Sequence, residues 1–275
     1  MSSQHAEAQN LAASLPALLL AAESLSAGFA PGRHGRRRSG QGEQFWQFRD
    51  YRGDGLRAID WRRSARGSRL YVREREWEAV ETLSIDIDGN PGMNWRSAPD
   101  LPTKRQRAVL LALALGALAL RGGERVALAR RSRPVQGECA LPRLALALEQ
   151  PAVLPAATGR FALFGDFLDP PEEIAARLAE WRPDATGGVL VHVLDPAECD
   201  FPYDGRVLFT GLTAEAPEDV PRAELVRSAY RARIEAQREA VARLAQSARL
   251  VPVFHRTDAP PALALAAIRA ALELD

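Results

Sequence analysis

Short apolar runs alternate with helical segments from residue 82 onward, and this alternation strongly limits the folds open to the chain. Strands are predicted where apolar or β-branched runs end at turn residues, namely at residues 82–87, 124–131, 161–164, 188–194, 206–210 and 250–254. Helices are predicted at residues 104–120, 141–149, 170–181, 216–249 and 260–274. Strands that alternate with helices pair in parallel, so the sequence predicts an α/β fold with a doubly wound, mainly parallel sheet.

The first part of the chain reads as an irregular extension to that domain. A helix is predicted over residues 4–27, and an exposed loop over the Gly- and Arg-rich residues 30–42. An edge strand is predicted over residues 70–78, where apolar and charged residues alternate. We therefore expect an N-terminal region of residues 1–78, with helix, loop and β structure, packed on a main domain of residues 79–275.

An acidic, Gly/Pro-rich turn follows the first strand of the main domain. Asp88 stands directly after the strand, and Asn90 and Gly92 follow at alternate positions. The spacing is that of the D-x-S-x-S turn of a metal-ion-dependent adhesion site, whose carboxylate and hydroxyl oxygens suit Mg²⁺. Here Asn90 keeps an oxygen and Gly92 has no side chain. The alternative is an ordinary strand-end turn, because Asp, Asn, Gly and Pro all favour turns.

Further carboxylates end later strands. Asp166 and Asp195 follow the predicted strands 161–164 and 188–194. Because the carboxyl ends of parallel strands meet at one edge, we expect Asp88 and Asp166 to share a pocket. Two neighbouring carboxylates repel unless a cation lies between them. We expect either Mg²⁺ or a basic side chain from residues 130–133 to neutralise this pair.

Aromatic and arginine side chains interleave over residues 43–78. Such interleaving occurs in proteins that bind single-stranded nucleic acid. Acidic residues interleave equally, which instead favours internal ion pairs and Arg–aromatic stacking. The net charge of +1 also argues against a chain built mainly for nucleic acid. We interpret the segment as a structural clamp.

The run RDYRGDGLRAIDWRRSAR at Arg49–Arg66 resembles the signature of the domain-of-unknown-function 58 (DUF58) family. In that family an R-x-Y run precedes G-D-x-x-R-x-I-x-W-x-x-S-A-R, a strand, and a von Willebrand factor A-like metal turn, and this order is kept here. The resemblance implies a von Willebrand factor A-like fold, with Asp166 as a later carboxylate of the metal site. The metal candidates are thus Asp88, Asn90 and Asp166.

The same resemblance implies a partner. Members of the family are associated with MoxR-type AAA+ ATPases and are thought to act as adaptors in the maturation of protein complexes. The candidate partner surface consists of residues of the signature, namely Arg49, Arg52, Asp54, Arg57, Asp60, Trp61 and Arg66. We expect recognition that does not depend strictly on Mg²⁺, because the metal turn is depleted.

Membrane and secretion signals are weak. The apolar stretches 11–22 and 108–120 are shorter than the roughly 20 residues that a spanning helix needs. Cys139 and Cys199 lack metal-ligand spacing and read as reduced thiols. We expect a cytoplasmic protein with no transmembrane span.

Two further functions remain open on the sequence alone. A divalent-metal-dependent hydrolase would use Asp88, Asp166 and Asp195, and a nucleic-acid binder would use the Arg/aromatic segment. The pattern H-x-x-D-x-x-E at His192–Glu198 is interpreted as a strand end and turn, because these positions do not converge on one ion from a strand. We expect a non-catalytic interaction module.

Overall fold

The computed structural model describes residues 2–29, 37–40, 44–51, 59–65, 67, 69–78, 82–129, 131–137, 139–148, 159–181, 185–212 and 216–273. Contacts between residues divide the chain into two compact units. One unit comprises Met1–Gly32 and Thr82–Asp275, and the other comprises Arg33–Glu81. The predicted division into functional domains at residue 78 stays a prediction.

The secondary structure of the described residues follows the predicted alternation. The strands are β1 (Arg37–Gly40), β2 (Gln44–Asp50), β3 (Tyr71–Glu78), β4 (Thr82–Ile87), β5 (Arg125–Leu128), β6 (Gly159–Gly165), β7 (Ala185–Leu194), β8 (Val207–Phe209), β9 (Glu218–Val220) and β10 (Leu250–Arg256). The helices are α1 (Ser2–Ala27), α2 (Trp61–Ser64), α3 (Lys104–Arg121), α4 (Ala140–Ala147), α5 (Pro171–Trp181), α6 (Pro196–Asp200), α7 (Ala223–Ser247) and α8 (Pro261–Glu273).

The central sheet of the larger unit has the order β10-β7-β6-β4-β5, and all of its paired strands are parallel. Taken in chain order, the five strands are arranged 2-1-3-4-5, which is a doubly wound order. An isolated antiparallel bridge between Val126 and Val135 lies beside β5. The predicted doubly wound, mainly parallel α/β fold is confirmed.

Helices cover both faces of this sheet because its strands are apolar on both faces. Ala162 and Phe164 of β6 face the core shared with α1, α3, α4 and α8. Phe161 and Leu163, at the alternate positions, face the core shared with α5 and α7. The sheet is therefore enclosed between two helical layers.

Two expectations for this unit were wrong. The predicted buried strand at 206–210 is β8, which pairs antiparallel with β9 in a separate two-stranded sheet. Leu208 of β8 is exposed, so the strand lacks the burial of a central parallel strand. The long helix predicted from residue 216 begins only at Ala223, because β9 precedes it.

The smaller unit is an antiparallel sheet of order β1-β3-β2. The strand predicted over residues 70–78 is found as β3, but its prediction as an edge strand was wrong, because β3 lies between β1 and β2 and pairs with both. The loop predicted over residues 30–42 was wrong where it includes β1, and β2 lies in a segment expected to be irregular. A break in pairing between Phe45 and Gln47 explains the miss at β2, because a bulge interrupts the alternation that marks a strand.

None of the described helices combines the length and the apolar character that crossing a membrane requires.

Candidate functional site

The strand order reverses between β4 and β6, and ligands in open α/β sheets bind at the carboxyl ends of strands at such a point. Asp88 directly follows β4, and its backbone N–H donates to the carbonyl of Phe164 in β6 at 2.8 Å. Asp166 directly follows β6. Both carboxylates are buried, with relative exposures of 4% and 1%. The structure therefore brings the two predicted strand-end carboxylates together at one edge.

Arg177 of α5 is the cation beside Asp88. Its Nη1 lies 3.4 Å from Asp88 Oδ2, and its Nη2 lies 2.5 Å from Asp169 Oδ2. Burial raises the pKa of Asp88 above its usual value, and the attraction of Arg177 opposes that rise. Asp88 is thus a buried carboxylate that is partly stabilised in its charged form by one arginine.

The side chain of Asn90 holds its own turn. Its Oδ1 accepts a hydrogen bond from the backbone of Gly92 at 2.9 Å, and its Nδ2 donates to Asp169 Oδ1 at 3.3 Å. The backbone N–H of Asn90 donates to Asp88 Oδ1 at 3.1 Å. These bonds are those of a strand-end turn, in which the amide oxygen is already used.

Gly92 lies against the carboxylate of Asp166. A Cβ atom on residue 92 would be 2.7 Å from Asp166 Oδ2 and 3.3 Å from Asn90 Oδ1. A side chain at this position would therefore displace the Asp166 carboxylate. The close approach explains why glycine stands where an adhesion site has a hydroxyl residue.

Lys104, the first residue of α3, is the cation beside Asp166. Its Nζ donates to Asp166 Oδ2 at 2.8 Å and to Glu198 Oε1 at 2.5 Å. The lysine side chain is 1% exposed. A positive charge at a helix N-terminus opposes the helix dipole, so these two carboxylates must stabilise it. Burial raises the pKa of Glu198, and Lys104 acts against that rise.

The third strand-end loop joins the same network. Asp195 follows β7 and caps α6, where its Oδ1 accepts from the backbone of Ala197 at 2.9 Å and Glu198 completes a capping box. Its Oδ2 accepts from the backbone of Ser97 at 3.0 Å. Asp195 and Glu198 thereby connect the loops that follow β4 and β7.

His192 of β7 takes part in aromatic packing. Its ring lies 5.9 Å from the rings of both Phe167 and Phe254, in edge-on geometry. Burial lowers its pKa to about 3, although a hydrogen bond with the Asp166 backbone opposes the change. The imidazole is therefore neutral, and the strand-end interpretation of H-x-x-D-x-x-E agrees with the contacts of its three polar residues.

The network contains more carboxylates than cations, and sequence reasoning missed both cations. One of the two alternatives expected was a basic side chain from residues 130–133, but the cations paired with Asp166 and Asp88 are Lys104 and Arg177. Arg130 lies outside the described residues, and Arg133 is exposed. One signal was available in the sequence, since Lys104 is the single lysine among the 36 lysine and arginine residues of the chain.

In this arrangement the residues do not fit a resident divalent cation. Asp88 and Asp166 each have a cation against them, and Gly92 supplies no side-chain oxygen. Within the described part of the chain, no group of three His, Cys, Asp or Glu side chains is placed to hold a metal ion. The magnesium role predicted for Asp88, Asn90 and Asp166 stays a prediction, which experiments below test.

The candidate partner surface is described only in part. Asp60 caps α2, its Oδ1 accepting from the backbone of Arg63 at 2.9 Å, and Trp61 is 58% exposed. Arg49 pairs through its backbone with Val72 of β3. The other candidates lie outside the described residues, namely Arg52, Asp54, Arg57 and Arg66. Their role in partner binding stays a prediction.

A doubly wound α/β domain with a buried charge network at its switch point defines the class of this protein. Residues 47–143 match the model of a family described as "Protein of unknown function DUF58". This match confirms the resemblance predicted from Arg49–Arg66, and it also includes the Asp88 turn and α3. Neither the curated proteins nor the solved structures gave a match to the chain.

The close approach at Gly92 gives a first testable prediction. Gly92→Ser restores one hydroxyl of the D-x-S-x-S spacing, and we expect it to lower the free energy of unfolding by about 1–3 kcal/mol through overpacking. Gly89→Ser is the matched control, because a Cβ there would meet no atom within 4 Å. Urea unfolding of both variants is the measurement. Equal stability of the two variants would show that Asp166 does not press on residue 92.

Proposed function

We propose that this protein is a non-catalytic interaction module with a von Willebrand factor A-like domain. It acts as an adaptor for a MoxR-type AAA+ ATPase in the chaperone-like maturation of protein complexes. The observation that carries the proposal is the charge network at the strand ends, whose carboxylates are held by Lys104, Arg177 and backbone N–H groups. Such a fixed network suits a preformed recognition face. The partner and the von Willebrand assignment come from the family resemblance.

The same contacts argue against a hydrolase that uses these carboxylates. A general base must come within hydrogen-bonding reach of its substrate or of a water molecule. Asp166 is 1% exposed and already accepts from Lys104. His192 of β7 lies between two aromatic rings, and burial lowers its pKa to about 3. The site is therefore built to hold charge in place.

The accessible part of the site is a small rim formed by Asn90, Asp169 and Arg177, which we call the strand-end rim. Asn90 and Arg177 both contact Asp169, and all three residues are half-buried. Leu168, beside Asp169 in the chain, is an exposed apolar side chain. Arginine is enriched among the residues that supply most of the binding energy in protein interfaces. We therefore place the ATPase contact at this rim.

The proposal assigns the protein to the cytoplasm. Cys139 and Cys199 are free thiols, and no disulfide joins them. Free thiols persist where the surroundings are reducing.

The test is binding to the purified MoxR-type ATPase of the same organism in the presence of Mg²⁺ and ATP. We expect Arg177→Ala to raise the Kd for the ATPase by at least about tenfold, because the substitution removes the central cation of the rim. Arg206→Ala is the matched control, since Arg206 pairs with Asp219 in the separate β8–β9 sheet. We expect that variant to bind like the wild type.

Metal dependence is tested with the nucleotide-free ATPase, whose binding to this protein is measured in EDTA and in Mg²⁺. Nucleotide is left out because Mg²⁺ supplied with ATP would reload a site that chelation had emptied. We expect equal binding in the two solutions. Absence of ATPase binding by the wild type, or equal Kd values for wild type and Arg177→Ala, would contradict the proposed function.

A further inference from the structure

Each carboxylate of the predicted metal pair has its own fixed cation. Lys104 Nζ is 2.8 Å from Asp166 Oδ2, whereas Arg177 Nη1 is 3.4 Å from Asp88 Oδ2. Lys104 is not among the principal charges that act on Asp88, which are Arg177, Asp166 and Asp169. Each of the two carboxylates is thus paired with a different cation, although Asp166 and Asp169 still repel the charge of Asp88.

The choice of lysine at position 104 is informative because the chain otherwise uses arginine for its positive charges. Lys104 is the single lysine among 36 basic residues, and it is also 1% exposed. An ammonium group is a compact point charge, whereas a guanidinium group is a wide planar fork. The space between Asp166 and Glu198 therefore takes a small, spherical cation, which is the kind of charge that a metal ion also provides.

The turn at Gly92 fits the ion pair between Asp166 and Lys104. The Asp166 carboxylate that binds Lys104 lies so close to residue 92 that a Cβ there would be 2.7 Å from its Oδ2. The position of Asp166 that suits the lysine thus excludes the hydroxyl side chain that a metal would use. The absence of a side chain at residue 92 and the presence of the buried lysine therefore both depend on the same position of the Asp166 carboxylate.

We propose that the ammonium group of Lys104 is the resident cation of this site and that it takes the place of a divalent metal. It holds three loops together through Asp166 after β6 and Glu198 after β7, and Ser97 in the loop after β4 binds Asp195 of the same α6 cap. The protein's own side chains then organise the site without a metal, although carboxylates remain in excess and Asp166 Oδ1 accepts no hydrogen bond from the described residues. This inference concerns the chemistry of the site and stands or falls independently of the ATPase.

Recognition of the partner, which rests on the proposed function, would then involve Arg177 and not Lys104. A metal in an adhesion site keeps an open coordination position for an acidic residue of the partner. The ammonium group of Lys104 is enclosed and offers no such position, because its side chain is 1% exposed. The accessible cation of the site is Arg177, whose side chain is 29% exposed. An acidic residue of the partner would therefore bind Arg177 in competition with Asp169.

The decisive experiment uses the full chain and Mn²⁺ as the probe. Electron paramagnetic resonance measures bound Mn²⁺ in the chelator-treated protein. Biosynthetic labelling with ζ-¹⁵N-lysine gives one ammonium signal, from Lys104. We expect no binding with a Kd below about 100 μM, and no broadening of the lysine signal by stoichiometric Mn²⁺. Melting temperatures in Mg²⁺ and in EDTA should coincide.

A variant tests the replacement directly. Lys104→Ala removes the ammonium group and leaves Asp166 and Glu198 facing an open space, so we expect its affinity for Mn²⁺ to exceed that of the wild type by at least about tenfold. Adding Asp166→Asn to Lys104→Ala should abolish that gain. If Lys104→Ala does not fold, the wild-type measurements decide alone.

Two results would overturn the inference. The first is stoichiometric Mn²⁺ binding by the wild type that broadens the Lys104 signal and is lost in Asp166→Asn. The second is a folded Lys104→Ala variant that binds no more Mn²⁺ than the wild type. Neither result depends on whether the ATPase binds, so failure of this inference is distinguishable from failure of the proposed function.

Discussion

Lys104→Met is expected to lower the free energy of unfolding by about 3–5 kcal/mol, because removal of one partner from a buried ion pair leaves the other charge uncompensated. Methionine keeps much of the apolar stem but gives Asp166 and Glu198 no donor. Both carboxylates lie within 2.8 Å of Nζ in the native protein. Urea unfolding at neutral pH measures the loss.

A double variant separates charge from packing. In Lys104→Met combined with Asp166→Asn, one of the uncompensated carboxylates is removed as well. We expect this protein to be more stable than Lys104→Met alone, since neutral groups are tolerated better than an unpaired buried charge. A loss below about 1 kcal/mol in Lys104→Met would contradict the prediction and would indicate an ion pair of surface strength.

Acidification from pH 6.5 to pH 4 is expected to remove about 3 kcal/mol of stability through His192 alone, at 1.36 kcal/mol per pH unit. Burial lowers the pKa of His192 from 6.5 to about 3. Below pH 6.5 the unfolded chain therefore binds a proton that the folded chain does not bind. This contribution to stability is fully present above pH 6.5 and is lost progressively as the pH falls towards 3.

The measurement is unfolding of wild type and His192→Gln between pH 4 and 6.5. The free energy of unfolding of the variant should depend less steeply on pH than that of the wild type, by up to about 1.4 kcal/mol per pH unit. Asp88→Asn is the comparison variant, and it is expected to change the pH dependence of stability in the opposite direction. The pKa of Asp88 is raised by burial, so its proton uptake stabilises the folded state in acid, and loss of that group should steepen the dependence. Parallel curves for wild type and His192→Gln would rule out a neutral, buried imidazole.

The sequence was sufficient to predict that the carboxylates of Asp88 and Asp166 lie together. It was not sufficient to predict which cations pair with them. Asp88 and Asp166 each follow an apolar run, and the convergence of parallel strand ends brings them to one edge without any knowledge of side-chain packing. Lys104 lies 62 positions from Asp166 and 94 from Glu198. No local pattern links residues at such separations, so the pairing had to come from the tertiary fold.

Position in the fold nevertheless offered a clue to the missing cation. A helix that follows a parallel strand begins near the carboxyl end of that strand, so the first residue of α3 lies on the same side of the sheet as Asp88. Lys104 holds that place, after the Thr103 cap of a capping box. A lysine at the start of this helix, in a chain that otherwise uses arginine, was therefore a readable signal. The smaller unit was harder to predict, because the bulge in β2 breaks the alternation of its side chains.

The burial of the single lysine also limits which covalent modifications the folded protein can accept. Reagents and enzymes that acylate ε-amines find no lysine on the folded surface, because Lys104 is 1% exposed and bound to two carboxylates. Acetylation, or conjugation of a degradation tag to lysine, therefore requires the strand-end network to open first. A chain that carries such a mark is one that has lost its fold at this site, so the lysine acts as a chemical record of unfolding.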